Sequence, residues 1–334
     1  MNAPAILRQP KDYATDQEVR WCPGCGDYAI LKAVLKTLAD LEADPARTVF
    51  VSGIGCAARF PYYVETYGFH TIHGRAPAFA TGIKLANPEL DVWVVGGDGD
   101  LLSIGGNHLI HALRRNLDLQ ILLFNNEIYG LTKGQASPTS RRGTRSPSTP
   151  QGSLDAPLSA LRLALGAGAR FVARGIDTQQ KHLPEILKRA RRHQGSALVE
   201  ILQNCIVYND GAFDHVTARE REAEAQLHLI HGEPLLFGKD KAKGLRLSAG
   251  GFGLETVPAD DPAILRHDET NPHLAALLAA LEPPMPVALG VILDAPAPTY
   301  EAAVAELETA EAVRVRAKDV NALLRQGATW VTPA

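Results

Sequence analysis

The sequence D-V-W-V-V-G-G-D-G-D at residues 91–100 decides the fold of this chain. Its apolar part, residues 92–95, has the length and valine content of a buried strand, and the glycines and aspartates after it end that strand in a polar turn. Further strand-sized runs occur as far as residue 205, at residues 49–52, 71–73, 120–124, 171–173 and 197–202.

Helical patterns separate these strands. Asp27 is a candidate N-cap for a helix whose apolar residues recur at spacings of three and four. Further helices are predicted at residues 78–86, 103–115, 158–165 and 182–193. Strands that alternate with helices in this way predict an α/β fold, a doubly wound parallel sheet with helices on both faces.

The composition is that of a globular protein. The chain has 334 residues, of which 46% are hydrophobic and 21% charged, and this length can bury a sizeable core. A formal net charge of −3 gives no general attraction to nucleic acid or anionic membranes. No apolar run approaches the roughly 18 residues of a membrane helix. Residues 1–13 contain no apolar signal segment, so we expect a cytoplasmic protein.

The length suggests one large domain with an addition, or two smaller domains. We predict an α/β domain over residues 1–235 and a C-terminal extension over residues 236–334. The extension has patterns for a helix near residues 274–281, a strand at 287–293 and a last helix from Tyr300.

A long loop in the first domain is unusual in its charge. Residues 128–154 contain no acidic side chain. Because long loops inside compact domains are often functional, this one is expected to face an anion or a partner, although a solvated flexible loop is the alternative. Its basic residues are Lys133, Arg141, Arg142 and Arg145.

The polar turns after two of the strands could hold a metal. Asp98 follows one buried strand, and Asn126 follows the next, 28 residues later. A βαβ unit brings such strand ends side by side, where a carboxylate, an amide oxygen, a backbone carbonyl and phosphate oxygens could hold Mg²⁺. The glycines beside Asp98 would let a diphosphate approach the backbone at a helix N-terminus. A plain turn is the alternative.

The four cysteines are Cys22, Cys25, Cys56 and Cys205. The first two form a C-x-x-C pair before a helix, and the other two follow predicted strands. One site could gather all four as ligands of a [4Fe–4S] cluster or a structural zinc. A redox dithiol and inert core thiols are the other possibilities.

Residues 53–58 also fit the G-x-G-x-x-A pattern of dinucleotide-binding proteins. That interpretation requires an acidic residue about 20 positions later. No aspartate or glutamate occurs between Glu65 and Glu89, so the pattern is disfavoured. Further along, His73-Gly74-Arg75 follows a predicted strand and could face phosphate or substrate.

Taken together, these motifs resemble the β subunits of the 2-oxoacid:ferredoxin oxidoreductases, most closely the 2-oxoglutarate type. The resemblance extends over about residues 21–238. The residues that carry it are W-C-P-G-C-G at 21–26, G-I-G-C at 53–56, H-G-R-A at 73–76, G-D-G-D at 97–100, G-G-N-H at 105–108, R-R-N at 114–116 and N-N-E-I-Y-G-L-T-K-G-Q-A-S-P-T at 125–139.

The resemblance implies three cofactors: thiamine diphosphate, Mg²⁺ and a [4Fe–4S] cluster. It assigns Mg²⁺ to Asp98, Asn126 and the carbonyl of Ile128, and the cluster to the four cysteines. The other cofactor contacts that it implies are Gly55, Cys56, His73, Gly97, Gly99, Asp100, Gly130, Leu131 and Thr132.

The resemblance also implies an activity. It is the coenzyme A-dependent oxidative decarboxylation of 2-oxoglutarate to succinyl-CoA and CO₂, or the reverse, with electrons passing through the cluster to ferredoxin. Lys133 is expected to bind the distal carboxylate, with His73 and Arg75 also at the catalytic site. An α subunit would supply the glutamate that activates the thiamine ring.

Other functions remain open. A pyruvate-type or broad-specificity oxidoreductase would share the same cofactors. A non-redox thiamine diphosphate decarboxylase would not need four assembled cysteines, and a zinc-stabilised structural subunit would bind no thiamine diphosphate.

Overall fold

The structure is a computed structural model that describes residues 8–314 and 319–332. That part of the chain contains thirteen strands and ten α-helices. The strands are β1 (Thr48–Ser52), β2 (Tyr67–His70), β3 (Asp91–Gly97), β4 (Gln120–Asn125), β5 (Ile128–Tyr129), β6 (Gln135–Ala136), β7 (Phe171–Ile176), β8 (Ala197–Leu202), β9 (Gln226–His228), β10 (Leu236–Phe237), β11 (Lys243–Leu247), β12 (Leu254–Pro258) and β13 (Val287–Asp294).

The helices begin with α1, which follows the C-x-x-C pair. They are α1 (Asp27–Asp40), α2 (Ala76–Ala86), α3 (Gly106–Arg115), α4 (Ala160–Gly166), α5 (Leu183–Arg192), α6 (Asp214–Thr217), α7 (Glu222–Ala225), α8 (Pro272–Ala279), α9 (Tyr300–Arg314) and α10 (Val320–Leu324). None of these described helices has the length and apolar character needed to cross a membrane.

The predicted doubly wound sheet is confirmed. Eight strands form one sheet in the order β2-β1-β3-β4-β8-β7-β13-β9. All neighbouring pairs are parallel except β7 with β13. The chain leaves β1 toward β2 on one side and returns to β3 on the other, so the strand order reverses between β1 and β3. Ligands of such sheets bind beyond the carboxyl ends of the strands at this point.

Both faces of the sheet are buried, and the alternation within β3 shows how. Val92 and Val94 pack on one face under α2, α3, α4 and α8. Trp93 and Val95 pack on the other face under α1 and α5. Because successive strand side chains point to opposite faces, a continuous apolar run is what a strand covered on both faces requires.

Three local predictions need correction. The strand expected at residues 71–73 lies earlier, at β2, an edge strand whose four residues are all exposed and therefore give no burial pattern. Asp27 is the first residue of α1 and does not cap it; Gly26 is the N-cap, and Asp27 is buried. The helix expected at residues 103–115 begins at Gly106, after a separate π-helical turn at Asp100–Ile104.

The C-terminal part contributes to the main sheet. β13 pairs antiparallel with β7 and parallel with β9. Arg189 of α5 adds ion pairs to Glu269 and to Asp294, at 2.8 Å each. Strands from both sides of the boundary predicted between residues 235 and 236 therefore share one sheet. The small antiparallel sheet β10-β11-β12 was not predicted.

We expect Leu289→Ala in β13 to lower the free energy of unfolding by about 2–5 kcal/mol, because it removes a fully buried side chain from the core. Leu307→Ala is the matched control, since Leu307 of α9 is 66% exposed and the change should cost less than about 0.5 kcal/mol. Urea unfolding followed by circular dichroism measures both. If both variants lost the same free energy of unfolding, β13 would lie outside the cooperatively folded core.

Candidate functional site

A cavity of about 560 Å³, here called the main cavity, lies at the carboxyl ends of β1, β3 and β4. This is the edge of the sheet where the strand order reverses, as the topology requires. Every residue expected to contact the cofactor lines it: Gly55, Cys56, His73, Gly97, Asp98, Gly99, Asp100, Asn126, Ile128, Gly130, Leu131 and Thr132.

Asp98 lies at the bottom of the main cavity and is 2% exposed. The hydroxyls of Ser137 and Thr139 each donate to its Oδ2 at 2.5 Å. Burial raises the pKa of Asp98 to about 6, although these hydrogen bonds favour the carboxylate and lower it in part. A bound cation would stabilise the charged form further.

Asp100 holds three loops together. Its Oδ1 accepts the backbone N–H groups of Ile54 at 3.2 Å and Gly74 at 2.7 Å, and lies 2.6 Å from His73 Nδ1. Gly53 approaches so closely that a Cβ there would lie 2.1 Å from Asp100 Oδ2. The G-I-G-C and H-G-R motifs are therefore fixed to the G-D-G-D turn by one buried carboxyl group, whose pKa is raised by burial.

The second polar turn presents oxygen atoms to the main cavity. Asn126 Oδ1 accepts the backbone N–H of Ile128 at 3.1 Å, and both residues line the cavity. Glu127 lies between them with a left-handed φ of 55°. The carboxylate of Asp98, the amide of Asn126 and the carbonyl of Ile128 are oxygen donors of the type that Mg²⁺ prefers, so this donor set fits the ion.

The four cysteines line a second cavity of about 250 Å³, here called the cysteine cavity. Cys22 is exposed, Cys25 and Cys56 are half-buried, and Cys205 is buried. All four are free thiols. Gly130 lies between two of them, since a Cβ on it would be 3.5 Å from Sγ of both Cys56 and Cys205.

Two of the four thiols are strongly affected by burial. It raises the pKa of Cys56 to about 12 and also raises that of Cys25, so these two thiols are protonated at neutral pH unless a metal binds them. Thiols of this kind become thiolates by binding metal. Within the described ranges, no group of three or more His, Cys, Asp or Glu side chains is arranged to hold a metal ion. The four thiols that line this cavity are of the donor type used by both [4Fe–4S] clusters and zinc sites.

The two cavities share a wall. Its members line both the main cavity and the cysteine cavity: Asp27, Cys56, Asn126, Gly130 and Leu131. Asp27 is 1% exposed, and its Oδ2 has no hydrogen-bond partner among the described residues. Burial raises the pKa of this carboxyl group to about 7.

The three residues expected to be catalytic lie in different places. His73 lines the main cavity. Lys133 is exposed, has a φ of 77° and lines the cysteine cavity. Arg75 does not line either cavity, and its Nη1 donates to the carbonyl of Ile104 at 3.4 Å.

The sequence did not single out several residues of the site. Asp27 was considered only as a helix cap, although its position directly after C-P-G-C-G was a signal. Tyr129 packs its ring on Gly99 and donates to that residue's carbonyl at 3.0 Å. Ser137 and Thr139 stood in a loop that was expected to be solvated or anion-facing, and both are buried.

Comparisons with known proteins show which family contains the segment that carries this site. Residues 53–201 match the family described as "Thiamine pyrophosphate enzyme, C-terminal TPP binding domain". That segment begins at the G-I-G-C turn, ends within β8 and includes the polar turns after β3 and β4.

Similar proteins cover more of the chain. The 2-oxoglutarate oxidoreductase subunit KorB of Mycobacterium tuberculosis is 53% identical over 298 residues, which is 87% of this chain and 79% of that protein. The 2-oxoacid:ferredoxin oxidoreductase 1 subunit beta of Aeropyrum pernix is 54% identical over 59% of this chain and 62% of its own length.

A solved structure is similar along almost the whole chain. It is the 2-oxoglutarate:ferredoxin oxidoreductase from Magnetococcus marinus with 2-oxoglutarate, coenzyme A and succinyl-CoA bound. The identity is 33%, the TM-score 0.79, and the match covers 97% of each chain.

The G-D-G motif gives a steric test of the site. A Cβ on Gly99 would lie 2.1 Å from the ring of Tyr129, whereas one on Gly97 meets nothing closer than 3.9 Å. We expect Gly99→Ala to lower the free energy of unfolding by about 1–3 kcal/mol through overpacking. The matched variant Gly97→Ala should leave it within about 1 kcal/mol of the wild type. Thermal unfolding measures the stability of both variants. Equal stability of Gly99→Ala and Gly97→Ala would contradict the packing described for Tyr129.

Proposed function

Because the chain belongs to the β subunits of the 2-oxoacid:ferredoxin oxidoreductases, we propose that it carries the thiamine diphosphate and electron-transfer half of such an enzyme. With an α subunit it catalyses the coenzyme A-dependent oxidative decarboxylation of 2-oxoglutarate to succinyl-CoA and CO₂, and ferredoxin accepts the electrons. The observation that carries this proposal is the wall shared by the main cavity and the cysteine cavity.

The main cavity is the proposed thiamine diphosphate site. Asp98, Asn126 and the Ile128 carbonyl would hold Mg²⁺ at the diphosphate, and the glycines beside Asp98 leave room for it at the backbone. Thiamine diphosphate, when bound, supplies the electron sink that decarboxylation of a 2-oxoacid requires. Nδ1 of His73 is held by Asp100, so its Nε2 is the nitrogen that would contact a ligand.

The cysteine cavity is the proposed site of the [4Fe–4S] cluster, with Cys22, Cys25, Cys56 and Cys205 as ligands. The raised pKa values of Cys25 and Cys56 support this role, because such thiols are inert until a metal binds. Cys56 lines both cavities, so a cluster bound there would lie beside the main cavity. Exposed Cys22 and the thiol chemistry suit a reducing compartment, the cytoplasm.

The hairpin formed by β5 and β6, here called the substrate hairpin, is the proposed substrate-binding loop. Lys133 lies in its turn. Lys133 N–H donates to the Gly130 carbonyl at 3.0 Å, and the Gly134 N–H donates to the Tyr129 carbonyl at 2.8 Å. These backbone bonds fix the turn that carries Lys133, an exposed residue that lines the cysteine cavity. An ammonium group there would pair with the distal carboxylate of 2-oxoglutarate.

The test of the function uses the chain produced with its α partner under anaerobic conditions. We expect the complex to contain thiamine diphosphate and about four irons per β chain, the content of one [4Fe–4S] cluster. Its visible absorbance should bleach when 2-oxoglutarate and coenzyme A are added together, and recover with ferredoxin. A colourless, zinc-loaded complex without thiamine diphosphate would overturn the proposal. A complex that decarboxylates without bleaching would identify a non-redox enzyme.

The substrate preference rests on Lys133. We expect Lys133→Met to lower the ratio of kcat/KM for 2-oxoglutarate to that for pyruvate by about 10- to 100-fold, the worth of one hydrogen bond to a charged group. Lys32→Met is the control. Lys32 is an exposed lysine of α1 and is distant in the sequence from the loop that carries Lys133. An unchanged ratio in Lys133→Met would assign the distal carboxylate to another residue.

A further inference from the structure

The segment S-P-T-S-R at residues 137–141, here called the clasp, contacts both of the turns that would hold Mg²⁺. It follows β6 directly and begins the part of the acid-free loop that lies beyond the substrate hairpin. All three of its hydroxyl-bearing residues are buried, which is unusual for serine and threonine in a loop: Ser137, Thr139 and Ser140 are 8%, 4% and 2% exposed.

On one side, the clasp binds the G-D-G turn. Ser137 Oγ and Thr139 Oγ1 both lie 2.5 Å from Oδ2 of Asp98. Thr139 Oγ1 is also 3.0 Å from Oδ1 of Asn125, the last residue of β4. The two hydroxyls therefore hold one oxygen of this carboxyl group in place.

On the other side, the clasp binds the N-N-E-I turn. Ser140 Oγ donates to the Glu127 carbonyl at 2.5 Å, and Arg141 Nε lies 3.0 Å from Glu127 Oε2. Arg141 is itself held by the carbonyl of Ala212 at 2.6 Å. Glu127 lies between Asn126 and Ile128 in a left-handed conformation that glutamate rarely adopts, so contacts on both its backbone and its side chain fix the two flanking oxygen donors.

The clasp also lies against a buried network of polar side chains in the sheet. Asn125 Nδ2 donates to Glu200 at 2.8 Å, and Glu200, which is 2% exposed, pairs with Arg174 at 2.7 Å. This buried chain of contacts runs across β4, β8 and β7. The single hydroxyl hydrogen of Thr139 is shared between two acceptors, Oδ2 of Asp98 and Oδ1 of Asn125, so Thr139 lies between Asp98 and this network.

We propose that the clasp positions the Mg²⁺ ligands, with Thr139 as its main positioning residue. The identity of the cation and its diphosphate rests on the proposed function. Groups that hydrogen-bond to metal ligands orient them and tune their affinity, and removing one such group typically costs about 10- to 100-fold in metal affinity. No clasp residue lines the main cavity or the cysteine cavity, so the clasp acts through Asp98 and the Asn126–Ile128 turn.

The test compares Thr139→Val with Thr139→Ser in the αβ complex prepared without metal. Equilibrium dialysis measures thiamine diphosphate binding as MgCl₂ is added. Thr139→Val keeps the shape but loses the hydroxyl, and we expect its apparent Mg²⁺ affinity to fall by about 10- to 100-fold. Thr139→Ser keeps the hydroxyl and should remain close to the wild type. At saturating MgCl₂ and thiamine diphosphate, kcat of Thr139→Val should recover. High ligand concentrations can saturate a site whose affinity is lowered, whereas they cannot restore a damaged fold.

Controls separate this inference from the proposed function. Thr149→Val removes a hydroxyl whose bonds stay within the loop, to Ser146 and the carbonyl of Thr144, and should not change the Mg²⁺ affinity. Asp98→Ala should abolish Mg²⁺-dependent binding. If the wild type binds no thiamine diphosphate, or Asp98→Ala binds it normally, the proposed function fails.

If the wild type binds with Mg²⁺ and Thr139→Val binds equally well, the clasp does not position the ligands. Should Thr139→Val not fold, as judged from its thermal unfolding, Ser137→Ala tests the same contact from the other hydroxyl. A variant with lowered Tm and unchanged Mg²⁺ affinity would show a purely structural role and would also overturn the inference.

Discussion

Two buried carboxyl groups at the end of β3 are the constraint on which the rest of the site depends. Asp98 and Asp100 are each 2% exposed, and a buried carboxylate is tolerated only where hydrogen bonds replace its water. Asp100 obtains them from Ile54, Gly74 and His73, and Asp98 obtains them from the clasp. Loops that are distant in the sequence therefore converge on one turn, and the main cavity is the space that they enclose.

The same convergence places the two cavities side by side. The loop after β1 carries Cys56, so the bonds from Asp100 that fix this loop also fix one wall of the cysteine cavity. Gly130 and Leu131 complete the wall from the substrate hairpin. A thiamine site and a thiol site could each exist alone on this fold. The shared wall places the thiols directly beside the main cavity, and the proposed passage of electrons between the two sites rests on this arrangement.

The sequence predicted what depends on local pattern. The strands of the central sheet are apolar runs, and the rule that ligands bind at the strand ends located Asp98 and Asn126. The exposed edge strand β2 was misplaced because it lacks a buried face, and β10–β12 were missed in a glycine-rich region. Thr139 was missed for another reason: its contact with Asp98 joins residues that are 41 positions apart, and no local pattern in the sequence encodes it.

Backbone strain occurs both in the polar turn after β4 and in the turn of the β5–β6 hairpin. Glu127 and Lys133 both have positive φ angles, a conformation that costs a non-glycine residue about 1–3 kcal/mol and persists only where its surroundings hold it. Arg141 and Ser140 hold Glu127, and the β5–β6 pairing spans the residues up to the hairpin turn. Because the clasp follows β6 without a break, the β5–β6 hairpin lies between the polar turn after β4 and the residues that contact Asp98. The turn that carries Lys133 is therefore held between two segments that contact the polar ends of β3 and β4.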